Sequence, residues 1–183
     1  LMHKSMSETR NPKVPSTIIE LLSHHNYYDM TFGLDPKFKF IVSRAIYKGM
    51  LRFIHQTTGT PYVVQPLPVQ QMNISYANND SLHITWAERV DRLEPTATPT
   101  YYIIYTRTSQ LRDGQWQTSD WDNGIRVTTP HATLPIQRGV KYDIMVRAGN
   151  DGGVSLPSEV LSAYIDAKYD NKLALIIKGL NCV

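Results

Sequence analysis

Glu20 is the residue of this chain best placed to do chemistry. It lies within Ser16-Thr17-Ile18-Ile19-Glu20-Leu21-Leu22-Ser23, an apolar run that reads as a strand carrying a charge toward its carboxyl end. Carboxylates are rarely buried unless paired or working, and sheet strands commonly present catalytic groups at that end. A glutamate so placed suits proton transfer, taking a proton from an attacking water and returning it to a leaving group. The bland alternative is a solvent-facing or salt-bridged strand end, and the residues alone leave both open. His24 and His25 follow at once. Their spacing from Glu20 guarantees proximity only on a helix, so they read as polar loop residues rather than metal ligands. Asn26 suits a side-chain-to-backbone turn, with a place beside the carboxylate as the alternative, and Asp29 caps or turns the same loop. Cys182 is the single cysteine, which excludes an internal disulfide and a cysteine-based zinc cluster.

A helix must follow that loop. Asp35 can accept orphan backbone N–H groups, and Pro36 fits the first helical position, where no N–H is needed. Phe38, Ile41, Val42, Ala45, Ile46, Phe53 and Ile54 recur at helical spacing, a stripe that predicts packing on a sheet. Gly49 beside Ala45 would permit close approach, and Gly59 with Pro61 supplies the stop. A strand followed by an amphipathic helix is one unit of an α/β sandwich. Roughly sixty residues with one such unit cannot close a core, so the rest of that sheet is expected elsewhere. Residues 61–68, with Pro66-Leu67-Pro68, read as a stiff linker. From Val69 the period becomes two, as in Ser81–Trp86, Tyr101–Thr106 and Tyr142–Ala148, with turn clusters between, which predicts an antiparallel sandwich.

Composition narrows the function classes. Apolar residues make up 42% of the 183, enough for a core. A formal charge of +3, with no Lys/Arg cluster interleaved with aromatics along the sequence, argues against nucleic acid and other polyanions. No apolar run approaches the roughly 20 residues that cross a bilayer. The first residues have no apolar core of the signal-peptide kind. The chain opens on Leu1 and closes on Leu173-Ala174-Leu175-Ile176-Ile177, which reads as a strand with nothing left to pair. The expectation is a piece of a longer protein.

Residues Val69 to Ala163 resemble a fibronectin type III domain. Trp86 stands where that family keeps its core tryptophan, and Ile136 precedes Tyr142 at the spacing of the tyrosine corner. Tyr142 through Asn150, then Asp151-Gly152-Gly153, then Ser155-Leu156-Pro157-Ser158-Glu159, follows the family's last two strands and their turn. Such modules act as spacers, adhesion units or accessories, so the fold names no activity. Arg112-Asp113-Gly114 has the wrong order for the integrin-binding tripeptide. Trp116 and Trp121 either stack on sugar rings or cover their own sheet edge.

Val14-Pro15 through His25-Asn26, followed by Asp35-Pro36-Lys37-Phe38 and Ser43 through Met50, resembles the last strand and terminal helix of zinc-dependent N-acetylmuramoyl-L-alanine amidases of type 3. The family usually has Gly-Phe after its glutamate, where this chain has Leu21-Leu22, and His24-His25 lengthens the loop. The resemblance implies a fold of α+β type for the first part, the end of an α/β amidase domain, ahead of the all-β sandwich. It implies Glu20 as the catalytic acid/base, zinc held in the parent protein by two His and one Glu upstream, peptidoglycan as substrate, and a periplasmic or secreted, cell-surface location. The fragment itself would then be inactive and zinc-free. The expected organisation is 1–60 amidase remnant, 61–68 linker, 69–164 fibronectin type III domain and 165–183 the start of a further domain or tail. The other reading is a non-catalytic binding, adhesion or spacer module. In either case the apolar helix face must pack on the sandwich, pair with another copy of the chain or stay exposed and sticky, self-association being one of these outcomes.

Overall fold

The computed structural model describes residues 7–77, 80–167 and 174–178, the last by their backbone. The chain divides into two compact units, Leu1–Met50 and Leu51–Val183, with the division falling inside a helix.

The first unit holds helices and chain without regular structure. Helix α1 is the single turn Ser7–Arg10, α2 spans Tyr27–Leu34, and α3 spans Pro36–Thr58. Asn26 caps α2, its Oδ1 accepting from the Tyr28 N–H at 3.0 Å. Asp35 does the same for α3, accepting from the Lys37 N–H at 2.8 Å, so the start expected at Asp35-Pro36 is the start observed. The helix ends at Thr58, before Gly59 at φ +74°.

Two expectations for this unit are corrected. Residues 16–23 form no strand and no helix, because a strand exists only through a ladder partner and no described residue provides one. Helix α3 lies on no sheet of its own unit, none of its residues is buried, and no atom would meet a Cβ added at Gly49. The stripe that predicted sheet packing is only half-buried at Phe38, Val42 and Ile46 and exposed at Ile41, Phe53 and Ile54, with Ile41 at 54% of its full accessibility.

The second unit is a two-sheet sandwich. One sheet orders β1 (Gln70–Ala77), β2 (Ser81–Ala87) and β6 (His131–Pro135). The other orders β10 (Ala174–Lys178), β9 (Leu161–Ile165), β7 (Val140–Asn150), β3 (Tyr101–Arg112) and β4 (Gln115–Thr118). Two short strands flank it: β5 (Ile125–Val127) pairs with β3, and β8 (Gly153–Val154) with β7. Every pairing is antiparallel.

The alternation read from the sequence sets the core. Ile74, Leu82, Ile84, Ile104, Ile144 and Val146 face inward and are essentially inaccessible to solvent. Trp86 is buried against Tyr102, edge to face, with ring centroids 5.3 Å apart. Tyr142 closes the corner, its hydroxyl accepting from the Gln137 N–H at 3.0 Å, while the neighbouring Ile136 is buried. The β3–β4 hairpin turns through Asp113 and Gly114, both at positive φ, as a two-residue connection requires.

The sandwich extends beyond the expected 69–164 at both ends. Residues 61–68 are no free linker: Val64 and Pro66 are among the most buried side chains. The buried Asn150 amide donates to the carbonyls of Val64, Thr96 and Thr98 at 2.9, 3.0 and 3.3 Å, and Gly152 approaches Val63 so closely that a Cβ would lie 2.4 Å from its carbonyl oxygen. Of the run at Leu173–Ile177, the described residues Ala174–Ile177 do find a partner, since β10 pairs along the whole of β9.

We predict that Ile84→Ala lowers stability by about 2–5 kcal/mol, the usual cost of truncating a fully buried aliphatic side chain, read as a fall in the urea midpoint with an unchanged slope.

Candidate functional site

The structure separates the residues singled out by sequence. Glu20 is exposed in that segment and makes no hydrogen bond or ion pair among the described residues. His24 and His25 lie against each other with centroids 3.9 Å apart, and Asp29 accepts from the Ser23 N–H at 3.0 Å, closing the loop as a turn residue. Asn26 is spent as the α2 cap. Among the described residues no group of three or more His, Cys, Asp or Glu is arranged to hold a metal ion. Trp86 and Ile136 are buried in the sandwich, and Tyr142 is partly buried against its core. Cys182 lies outside the described residues.

The candidate site is instead the outer face of the larger sheet. Because side chains alternate along a strand, Tyr101, Ile103, Tyr105 and Arg107 of β3 point away from the core, beside Gly149, Arg147, Met145 and Asp143 of β7. Arg126 of β5 joins the same row as Ile103 and Arg147.

Two glycines let rings settle on this face. A Cβ at Gly149 would fall 2.3 Å from ring atoms of Tyr101, so only glycine lets that ring lie across β7. A Cβ at Gly124 would fall 2.4 Å from Ile103 and 2.9 Å from Tyr105. Asp122 holds the Gly124 loop to β3 by accepting from the Thr106 N–H at 3.0 Å and its hydroxyl at 2.7 Å. Arg126 stands over the Tyr101 ring, 3.6 Å from its centroid, and Arg107 stands over Trp121 at 4.8 Å.

Trp116 is 48% exposed and meets Tyr164 edge-on at 5.7 Å, and across the hairpin it faces the exposed Leu111. The hairpin tryptophan therefore covers its own sheet in part and offers the remainder to solvent.

Asp143 anchors the centre of the face. Its carboxylate is buried and accepts from Arg107 Nε at 2.9 Å and from the Ser162 hydroxyl at 2.5 Å, with Lys141 Nζ 3.4 Å away. Burial alone would raise its pKa, but the hydrogen bonds from Ser162 and Arg107, with the charges of Lys141 and Arg107, outweigh it and hold the carboxyl below its ordinary range. At the end of the sandwich Glu94, also buried, accepts from the Tyr62 hydroxyl at 2.7 Å and from the Thr96 hydroxyl at 2.8 Å. Burial and this carboxylate push the Tyr62 phenol up, against the opposing pull of Arg52. Both acids are saturated by structural partners.

Sequence reading missed this face because its members come from β3, β4, β5, β7 and β9 and meet only through strand pairing. The one signal available was the density of Tyr and Arg at alternate positions of β3.

No known family's profile matches the chain, and no curated protein matches it. Solved structures do match over its second half. The fn3 domain of human collagen alpha-1(XX) chain is 18% identical, covers 62% of this chain and 98% of its own, and has a TM-score of 0.40. The twitchin kinase region from C. elegans is 19% identical over 59% of this chain, with a TM-score of 0.45, and titin kinase with its flanking domains is 22% identical over 54%, with a TM-score of 0.40. This chain spans only 18% and 16% of those two structures. The second unit is a mostly β sandwich resembling fibronectin type III domains, with three strands against a larger sheet.

Because Asp143 is held below its unfolded pKa of about 3.9, its contribution to stability is fully present above that value and is lost as pH falls through the folded one. Asp143→Ala should therefore cost about 1.5–3 kcal/mol near neutral pH, the range for hydrogen bonds to a charged group, and much less at pH 2. Urea melts of both proteins at the two pH values check this.

Proposed function

We propose that this chain contributes a non-catalytic docking and spacing module to a multidomain protein of the cell surface or periplasm. The observation that carries the reading is the division of labour in the sandwich. Its buried polar groups, Asp143, Glu94 and Asn150, are consumed by structural partners, while the outer face of the larger sheet presents rings and arginines held in fixed positions. Saturated buried groups stabilise a scaffold, and fixed aromatic and arginine side chains suit recognition, because little rotamer freedom remains to be lost on binding.

A second reading concerns the parent protein. The amidase resemblance rests on the sequence of residues 14–50, and the start of α3 at Asp35-Pro36 and the turn through Asn26 and Asp29 are compatible with it. In that reading residues 1–60 belong to the catalytic domain of an N-acetylmuramoyl-L-alanine amidase acting on peptidoglycan. Residues 16–23 would become a strand once the rest of the sheet stands beside them. Glu20 would then supply the proton transfer, with zinc, held by upstream residues, polarising the scissile amide. The exposed stripe of α3 would pack on that sheet, and in its absence two copies of the chain would associate through it.

The two readings part experimentally. The purified chain should contain less than stoichiometric zinc by elemental analysis and leave muropeptides uncut; stoichiometric zinc or any cleavage would overturn the assignment as a non-catalytic module. In the parent protein with its upstream sequence, Glu20→Gln should abolish muropeptide turnover with zinc content unchanged. Loss of the metal in that variant would make Glu20 a ligand or structural residue, and unchanged turnover would remove the amidase role altogether.

A further inference from the structure

The outer face of the smaller sheet carries two histidines from different strands. Side chains alternate along β2 and β6, and with Leu82, Ile84 and Leu134 turned into the core, His83, Thr85, His131 and Thr133 are turned away from it. Pairing sets His83 opposite Thr133 and Thr85 opposite His131, so the two imidazoles are diagonal neighbours. Their ring centroids are 6.1 Å apart, with the planes inclined at 41°. His83 is half-buried and reaches across to β6, its Nδ1 3.3 Å from Thr133 Oγ1, and His131 is exposed.

The gap between the rings fits one shared atom better than a direct contact. Two nitrogens facing each other across it would be about 3.8 Å apart, beyond a hydrogen bond. A cation bound by two imidazole nitrogens at about 2.0–2.1 Å holds the ring centres about 5.2 Å apart in tetrahedral ligation and about 6.4 Å apart when the rings are opposite. The observed separation lies between those limits. The tautomer in which His83 donates its Nδ1–H to Thr133 leaves the Nε2 lone pair for a metal and holds the ring in place, as the outer-shell partner of a ligating histidine does. The two rows of this face, Asn73–Thr85–His131 and Ser75–His83–Thr133, contain no Lys or Arg to repel a cation, and their hydroxyl and amide groups suit water on its open positions.

We propose that His83 and His131 form a bidentate site for a late first-row divalent cation, nickel, copper or zinc, with the remaining positions open to water. Imidazole selects these metals over magnesium and calcium, which take oxygen donors. Two protein ligands, against the four of a closed structural site, leave the metal exchangeable, so dialysis removes it. The site exists only in the folded chain. His83 and His131 meet through the pairing of β2 with β6, and a cation that binds both therefore stabilises the sandwich. His24 and His25 also lie together, with centroids 3.9 Å apart, but they are chain neighbours and remain so on unfolding.

The test is urea unfolding of the full chain with millimolar NiCl2, with millimolar MgCl2 or with no added metal, followed by tryptophan fluorescence, since all three tryptophans lie in the sandwich unit. Nickel should raise the folded-to-unfolded ratio about tenfold, the gain for a Kd near one tenth of the metal concentration, and magnesium should leave it unchanged. His83→Gln and His131→Gln should each remove the gain, whereas His24→Gln with His25→Gln should keep it. Each gain is measured against the same variant without metal, so a change in intrinsic stability does not enter. No gain with nickel, an equal gain with magnesium, or a gain that survives either sandwich substitution overturns the site. Stoichiometric zinc retained through dialysis by the double variant His83→Gln with His131→Gln, or muropeptide cleavage by the chain, would count instead against the non-catalytic module, independently of the melts.

Discussion

The register between β3 and β7 is the constraint on which the rest of the sandwich depends. Ten residues of each strand are paired, from Tyr101 opposite Gly149 to Gln110 opposite Val140. That pairing sends Tyr102, Ile104, Ile144, Val146 and Ala148 into the core and leaves Tyr101, Ile103, Tyr105 and Arg107 outside. A slip of one residue would exchange the two sets and place an arginine and an aspartate between the sheets. The register is fixed from both sides: inside by the burial of five apolar side chains, and outside by the Arg107–Asp143 pair and by a ring that fits only over glycine.

What the sequence made legible was whatever depends on near neighbours. The alternation of Ser81–Trp86 and Tyr142–Ala148 gave the strands and their inward faces. Asp35-Pro36 gave the start of α3 because a cap needs only the next two residues. The misreadings share the opposite property. An apolar run such as Ser16–Ser23 is a strand only if another strand lies beside it, and that condition is not written in the run. The prolines of 61–68 read as a spacer because nothing local reports that Asn150, 86 residues from Val64, will hold that segment down. The candidate face was illegible for the same reason, since Arg126 and Arg147 are neighbours only through Ile103.

The two units differ in how much of their apolar content is used. The sandwich buries the inward-facing isoleucines, leucines and valines of its strands, whereas the first unit buries none of its described apolar residues and leaves Ile18, Ile19, Leu21, Leu22 and Ile41 between 39% and 54% exposed. Local rules alone, caps and helical periodicity, account for its elements. Packing, which supplies most of the free energy of a helix in a protein, is nearly absent there. Glu20 therefore lies in a segment whose conformation is under-determined, while Asp143 lies in one whose neighbours determine it completely.

The buried segment ahead of β1 gives the module a mechanical character. Tension applied along the chain at Pro61 does not first meet the β1–β2 ladder. It meets the Tyr62–Glu94 hydrogen bond, the side-chain and backbone bonds that grip Val64, and the seat of Pro66 in the interior.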